Sequence, residues 1–263
     1  ALDAANKGFV DGLASKGYKE GQNITFDKQN AQADQSNLQN IAHRFVNNKV
    51  DLICAIATPA AQTVANVTSD IPIVATAVTD YKTAKLVKDD AKPGTNVTGT
   101  TDMNPVAEQL DLLLKLVPNA KTIGTIYCSS EVNSQLQVEL LKKAAAAKGI
   151  TVKEATVSTV NDIQQAARSL AGDVQAVYVP TDNVLASAIP TLISVTEEAK
   201  LPVICAEGGM VRAGGLATMG VDYYKLGFQT GVMAADILSG KAKPADMAIQ
   251  AQKEFKPTIN LKE

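Results

Sequence analysis

Residues 121–155 read KTIGTIYCSSEVNSQLQVELLKKAAAAKGITVKEA, and the fold turns on this stretch. An apolar run over Lys121–Tyr127 gives way to a polar loop, Ser129-Ser130-Glu131-Val132-Asn133-Ser134. An Ala- and Leu-rich segment over Val132–Lys148 follows, and a second short run begins at Thr151 and ends at Ala155. A strand that returns through a helix to another strand is a βαβ unit, whose strands pair in parallel.

The same rhythm extends in both directions. Downstream, helices are predicted over Asn161–Leu170, Val184–Lys200 and Tyr224–Leu238, and strands over Ala176–Val179, Pro202–Ala206, Leu216–Gly220 and near Met247–Phe255. Upstream, a helix over 3–17 ends at Gly17, and a strand is predicted over Asn23–Asp27. A helix over Ser36–Asn48, a buried strand over Asp51–Ala57, a short helix over 59–67 and a strand over Pro72–Ala77 come next. Residues 90–102, with Pro93, Gly94, Gly99 and several threonines, break the rhythm and read as a crossover; a helix over Pro105–Leu116 follows. The expected class is therefore α/β, with two Rossmann-like lobes of parallel sheet joined by a multi-strand hinge. Residues 1–98 with 222–248 form the first lobe and 99–221 with 249–263 the second. A unit of this kind normally opens with a strand, whereas this sequence opens in a helix, so a first strand is expected before Ala1.

Composition excludes several chemistries. The 263 residues carry 25 basic and 27 acidic side chains, which leaves no broad basic surface for nucleic acid. The single histidine, His43, falls off the apolar face formed by Leu38, Ile41, Ala42 and Phe45, and cannot build a histidine-rich metal site. Cys54, Cys128 and Cys205 have no C-x-x-C spacing and lie in apolar runs, so they read as small buried hydrophobes. No apolar stretch is long enough to span a bilayer. Neither a dinucleotide fingerprint nor a P-loop is present, which argues against nucleotide chemistry; no metal or cofactor is expected.

In open parallel sheets, ligands bind beyond the carboxyl ends of the strands. Those positions carry Thr58-Pro59-Ala60-Ala61-Gln62, Thr79-Asp80-Tyr81, the Ser129–Ser134 loop, Thr181-Asp182-Asn183, Glu207-Gly208-Gly209 and Asp222-Tyr223-Tyr224. They are rich in hydroxyls, amides and carboxylates and almost empty of cations, a pattern that suits a zwitterion. Helix starts at Thr58 and at Ser129–Ser130 can hold a carboxylate, while Asp182, Asp222, Glu207 and Asp80 are candidates for an ammonium. Each of these residue types is also the ordinary choice for a helix N-cap.

The runs YCSSEVNSQLQVELLKKAAAAKGI, VYVPTDNVLASA and LPVICAEGGMVRAGGLATMGVDYYKLGFQTGVMAADIL resemble the tryptophan/tyrosine-type substrate-binding proteins of bacterial ABC importers. So do ALDAANKGFVDGLASKGYKEGQNITF and the ATPAAQ and IPIVATAVTDYKTAKLV segments, and the likeness runs along essentially the whole chain. It implies a type I periplasmic-binding-protein fold and a cleft lined by Thr58, Ala60, Ala61, Thr79, Asp80, Ser129, Ser130, Asn133, Asp182, Asn183 and Asp222. Cys128 stands where Asn is common in the family, and Cys205-Ala206-Glu207 departs from its usual run.

The function so implied is non-enzymatic: capture of an L-amino acid, aromatic by the resemblance (Trp, Tyr or Phe), and delivery to membrane permease subunits. A monomer that binds no nucleic acid, periplasmic or anchored outside the cell as a lipoprotein, is expected. The alternatives are a hydrolase-like enzyme using Ser129 or Cys128, and the effector-binding domain of a transcription regulator. The first lacks a G-x-S-x-G elbow and the second a helix-turn-helix.

Overall fold

A computed structural model describes residues 1–262. The chain divides into two units: Ala1–Met103 with Asp222–Lys253, and Asn104–Val221 with the residues from Glu254 onward. The chain thus passes between units after Met103, Val221 and Lys253, where the sequence suggested 98, 221 and 248.

The first unit contains α1 (Leu2–Ser15), α2 (Gln35–Asn47), β1 (Ile53–Ile56), α3 (Thr58–Val67), β2 (Ile73–Val78), β3 (Val97–Thr101), α10 (Tyr223–Leu238) and β9 (Gln250–Ala251). Its sheet runs β1-β2-β3-β9, parallel throughout. Helices α1 and α10 pack backbone to backbone through two pairs of glycines four residues apart. A Cβ at Gly8 would lie 2.0 Å from the Tyr224 carbonyl oxygen, and one at Gly227 would lie 1.9 Å from that of Ala5. Gly12 and Gly231 repeat the arrangement one turn on, against Phe228 and Phe9. Phe9, Leu13, Val74, Met233 and Ala234 fill the core beside this contact.

The second unit contains α4 (Val106–Leu116), β4 (Thr122–Cys128), α5 (Val132–Ala146), β5 (Thr151–Val157), α6 (Ile163–Ala171), β6 (Ala176–Val179), α7 (Asn183–Ser187), α8 (Ile189–Glu198), β7 (Val203–Cys205), α9 (Gly208–Arg212), β8 (Ala217–Gly220) and β10 (Lys256–Ile259). Its sheet runs β10-β8-β7-β6-β4-β5 and is parallel except for the edge pair β10–β8. Side chains alternate between two cores, as a period of two demands when both faces are covered. Val177 and Val179 of β6 join Ile163, Leu170 and Leu192 on one face, while Ala176 and Tyr178 join Leu110, Leu113 and Leu141 on the other.

Four expectations change. Residues 23–27 form no ladder strand: Ile24 makes one isolated bridge to Glu20, although Ile24 and Phe26 still pack against the buried cluster that holds Phe9, Leu13 and Val74. A strand needs a neighbour to complete its hydrogen bonds, and none of the described residues supplies one there. The Thr-rich crossover contains β3, because its threonines are β-branched and their hydroxyls are satisfied inside the unit. Thr98 donates to the Met247 carbonyl at 2.7 Å, and Thr100 bonds the Thr76 and Thr230 hydroxyls at 3.0 and 2.8 Å. The helix predicted over 184–200 is broken at Ala188, since Pro190 supplies no N–H and starts α8 instead. The C-terminal strand divides, β9 joining the first sheet and β10 pairing antiparallel in the second.

Side chains brace the points of passage within each unit. In the first, the Tyr223 hydroxyl donates to Asp102 at 2.5 Å, and Gln252 exchanges two bonds with the Asp222 backbone at 3.0 and 2.6 Å. In the second, Gln109 Nε2 donates to the Ala206 and Met219 carbonyls at 3.0 and 2.8 Å while its Oε1 accepts from Asn104.

Candidate functional site

In the first unit, the carboxyl ends of β1 and β2 carry Thr58, Ala60, Ala61, Thr79 and Asp80. The start of α3 is built for something other than a side-chain cap. Ala57, its N-cap, has φ +85° and ψ 155°, a region that glycine normally occupies, and no side chain caps the helix. Thr58 is 2% exposed, and its hydroxyl has no hydrogen-bond partner among the described residues. Leaving a buried hydroxyl unpaired costs roughly 1–3 kcal/mol, so the position favours a ligand able to pair with it. Uncapped N–H groups, the positive end of the helix dipole and an idle hydroxyl are groups of the kind that can hold an anion.

The neighbouring polar side chains are engaged. Thr79 donates to Asp102 at 3.3 Å, Asp80 accepts from the Thr83 N–H at 2.8 Å, and Asp222 caps α10 by accepting from the Lys225 N–H. Asp102, absent from the expected set, is 2% exposed and also receives the Tyr223 hydroxyl.

In the second unit, the loops after β4 and β6 meet around two buried carboxylates. Asp182, 1% exposed, caps α7 through the Leu185 N–H at 2.9 Å. Its other oxygen accepts from the Cys128 N–H at 2.7 Å and the Ser134 hydroxyl at 2.6 Å. Burial first, and then the nearby charge of Glu131, raise its pKa to about 6 against the opposing pull of the three hydrogen bonds. Asp182, one of the four carboxylates expected as candidates for an ammonium, thus has three donors already on its carboxylate.

Glu131, 5% exposed, was missed as a functional residue by the sequence reading. It accepts from the backbone N–H groups of Asn183 and Val184, from Asn183 Nδ2 at 2.8 Å and from Asn133 Nδ2 at 2.9 Å. Gln137 completes the brace: its Oε1 takes the Thr181 N–H at 2.9 Å, and its Nε2 reaches the Thr181 hydroxyl at 2.6 Å. Asn133, 4% exposed, also donates Nδ2 to the Thr181 carbonyl, yet its Oδ1 is buried without a partner among the described residues. Ser129 and Ser130 are exposed at the tip of the loop. Glu207 caps α9 through the Gly209 and Met210 N–H groups and is 5% exposed.

The tyrosines near these loops are anchored rather than free to stack. The Tyr81 hydroxyl lies 2.9 and 2.8 Å from the Ala75 and Thr100 carbonyls, and Tyr178 donates to Gln109. Tyr224 donates to Asp11, and Tyr127 donates to Glu154, with burial and that carboxylate pushing its pKa up to about 12. His43 is exposed on α2. The three cysteines are free; Cys54 is pushed up to about 12 by burial, which disfavours the thiolate a nucleophile needs. Among the described residues no cluster of His, Cys, Asp and Glu could hold a metal ion.

The family profile described as "ABC transporter substrate binding protein" matches residues 1–263. A tyrosine-binding protein of Clostridioides difficile (strain R20291) is 46% identical over 260 residues, which cover 99% of this chain and 75% of that protein. The crystal structure of an ABC domain in complex with L-Trp from Streptococcus pneumonia superposes with a TM-score of 0.96 at 43% identity, over 99% of this chain and 88% of that one. The ligand-free, open structure of a substrate-binding protein with adhesive properties from Clostridium difficile gives 0.74 at 46% identity, over 99% and 88%.

Proposed function

The chain belongs to the ABC transporter substrate-binding protein family, and from that premise we propose that it captures an aromatic L-amino acid for an ABC importer. One observation carries the ligand class. The strand-end loops of each unit bury a polar atom that the described residues leave unpaired, Thr58 Oγ1 in one and Asn133 Oδ1 in the other. An uncapped helix start beside the first suits a carboxylate, and an acceptor beside buried acidic groups suits an ammonium. The relatives named for tyrosine and L-Trp support the aromatic side chain.

The contact set we assign is Thr58, Ala60 and Ala61 with Thr79 and Asp80, then Ser129, Ser130, Asn133 and Asn183. Asp182, Glu207 and Asp222 act by holding the loops that carry these groups. The protein works as a non-enzymatic monomer that hands its ligand, chemically unchanged, to permease subunits, and neither metal nor nucleic acid takes part. It works outside the cytoplasm, periplasmic or lipid-anchored; among the described residues no helix is long and apolar enough to cross a membrane.

A thermal-shift screen of the L-amino acids, with sugars and nucleosides beside them, tests this reading. At 100 times its Kd a ligand stabilises by about 2.7 kcal/mol, a rise of a few degrees for a chain of this size. A rise confined to Trp, Tyr or Phe supports the proposal. A rise with a sugar or nucleoside and none with amino acids overturns it.

A further inference from the structure

We propose that Glu131 is a positioning residue that turns the amides of Asn133 and Asn183 so that their oxygens, rather than a carboxylate, receive the ligand's ammonium group. The inference rests on the amino-acid reading above and names the chemistry of half of that site.

An asparagine amide offers an acceptor at one corner and two donors at the other, and can flip between them. An ionised carboxylate can only accept. Glu131 Oε2 lies 2.9 Å from Asn133 Nδ2 and 2.8 Å from Asn183 Nδ2, so a single oxygen fixes both amides with their donors turned inward. Asn133 Nδ2 also donates to the Thr181 carbonyl at 2.9 Å, and that acceptor enforces the same orientation. Both amide oxygens therefore face away from Glu131.

The Asn133 oxygen is buried and unpaired, an acceptor held ready for a donor that the described protein atoms do not supply. An ammonium brings three donors and no acceptor. Asp182, the more obvious partner, already accepts from the Cys128 N–H, the Ser134 hydroxyl and the Leu185 N–H. Glu131 meanwhile holds the Asn183 and Val184 backbone N–H groups, so the same side chain that orients the amides also ties the two loops together. Its negative charge stands behind the neutral acceptors and favours a cation there without a direct ion pair.

Glu131→Gln places a donor where one of the carboxylate oxygens stood, and one asparagine amide then turns its oxygen inward. The test is calorimetric titration of L-tyrosine and L-tryptophan beside their deaminated counterparts, 3-(4-hydroxyphenyl)propionate and indole-3-propionate. Glu131→Gln and, as a second variant should the first not fold, Asn133→Ala are compared with the wild-type protein. The expected result is a loss of at least about tenfold in affinity for the amino acid, with the deaminated acid changed less than about twofold. Such a loss is confined to the ammonium, which a merely structural role would not produce. Parallel losses for both ligands, or an unchanged preference, overturn the proposal. If the wild-type protein binds neither amino acid, the reading of function itself fails, an outcome distinct from an unchanged preference in the variants.

Discussion

Burial and, next to it, the charge of Glu131 raise the Asp182 pKa to about 6 in the folded protein, against about 3.9 for an unfolded aspartate. The folded state holds the extra proton between those values. Its contribution to stability is thus fully present below about pH 4 and is lost as pH rises through about 6. The difference in unfolding free energy between wild type and Asp182→Asn, followed by denaturant titration from pH 7.5 to pH 4, should drift by on the order of 3 kcal/mol in favour of the wild type. A flat difference would mean that Asp182 has an ordinary pKa. Thr58 makes the opposite kind of prediction. Replacing an unpaired buried hydroxyl by a methyl group relieves that cost, so Thr58→Val should hold its Tm or raise it by up to a few degrees while weakening ligand binding about tenfold. A large drop in Tm would show that the hydroxyl has a structural partner. At this scale the sequence revealed which loops matter but not which atoms. Asp182, Glu207 and Asp222 were legible as polar residues at helix starts, and capping is what they do. Glu131 was not legible, since its partners Asn183 and Val184 lie 52 and 53 residues away and only the folded sheet brings them near.

Among the elements, the contact of α1 with α10 is the least tolerant of change. A methyl group at Gly8 or Gly227 meets backbone oxygens at 2.0 or 1.9 Å, and backbone cannot swing aside as a side chain can. Gly8→Ala should therefore cost more than about 2 kcal/mol, read by thermal or denaturant unfolding, despite the helix propensity it gains. Gly172→Ala is the control: nothing lies within 4 Å of its Cβ position and the residue has an ordinary φ of −84°, so the change should be neutral or slightly stabilising. Equal losses at the two positions would refute the packing argument. Strands such as β4 and β6 were readable because a fully buried parallel strand is a plain apolar run. The misreadings share a cause. Ile24 and Phe26 have the composition of a strand but no ladder partner among the described residues, and the threonines of β3 look polar until their hydroxyls are seen paired inside the unit. Local pattern reports what a segment can become, and its neighbours decide what it is.

For the whole molecule, side chains brace the backbone within each unit beside the three passages of chain. Tyr223 and Gln252 hold their side, Gln109 and Asn104 the other, which leaves Met103, Val221 and Lys253 as the residues between braces. Gln252→Ala should leave Tm within a few degrees and change the ligand dissociation rate by about threefold or more, measured by stopped-flow fluorescence; an unchanged rate would show the brace to be irrelevant to ligand exchange. The α1–α10 contact also carries a consequence in time. The Tyr224–Asp11 bond that accompanies it joins residues 213 positions apart, with nearly all of the second unit's sequence lying between them. The first unit cannot close its helix pair until α10 has emerged from the ribosome, while the second has all but its last strand in one continuous stretch. Contacts between distant residues form late, because the entropy of closing the intervening loop is lost before they reward it. Pulse-labelled hydrogen exchange during refolding should find the amides of β4, β6 and β7 protected before those of α1 and α10. The chain would then spend its early life with the second unit folded and α1 still searching for its partner.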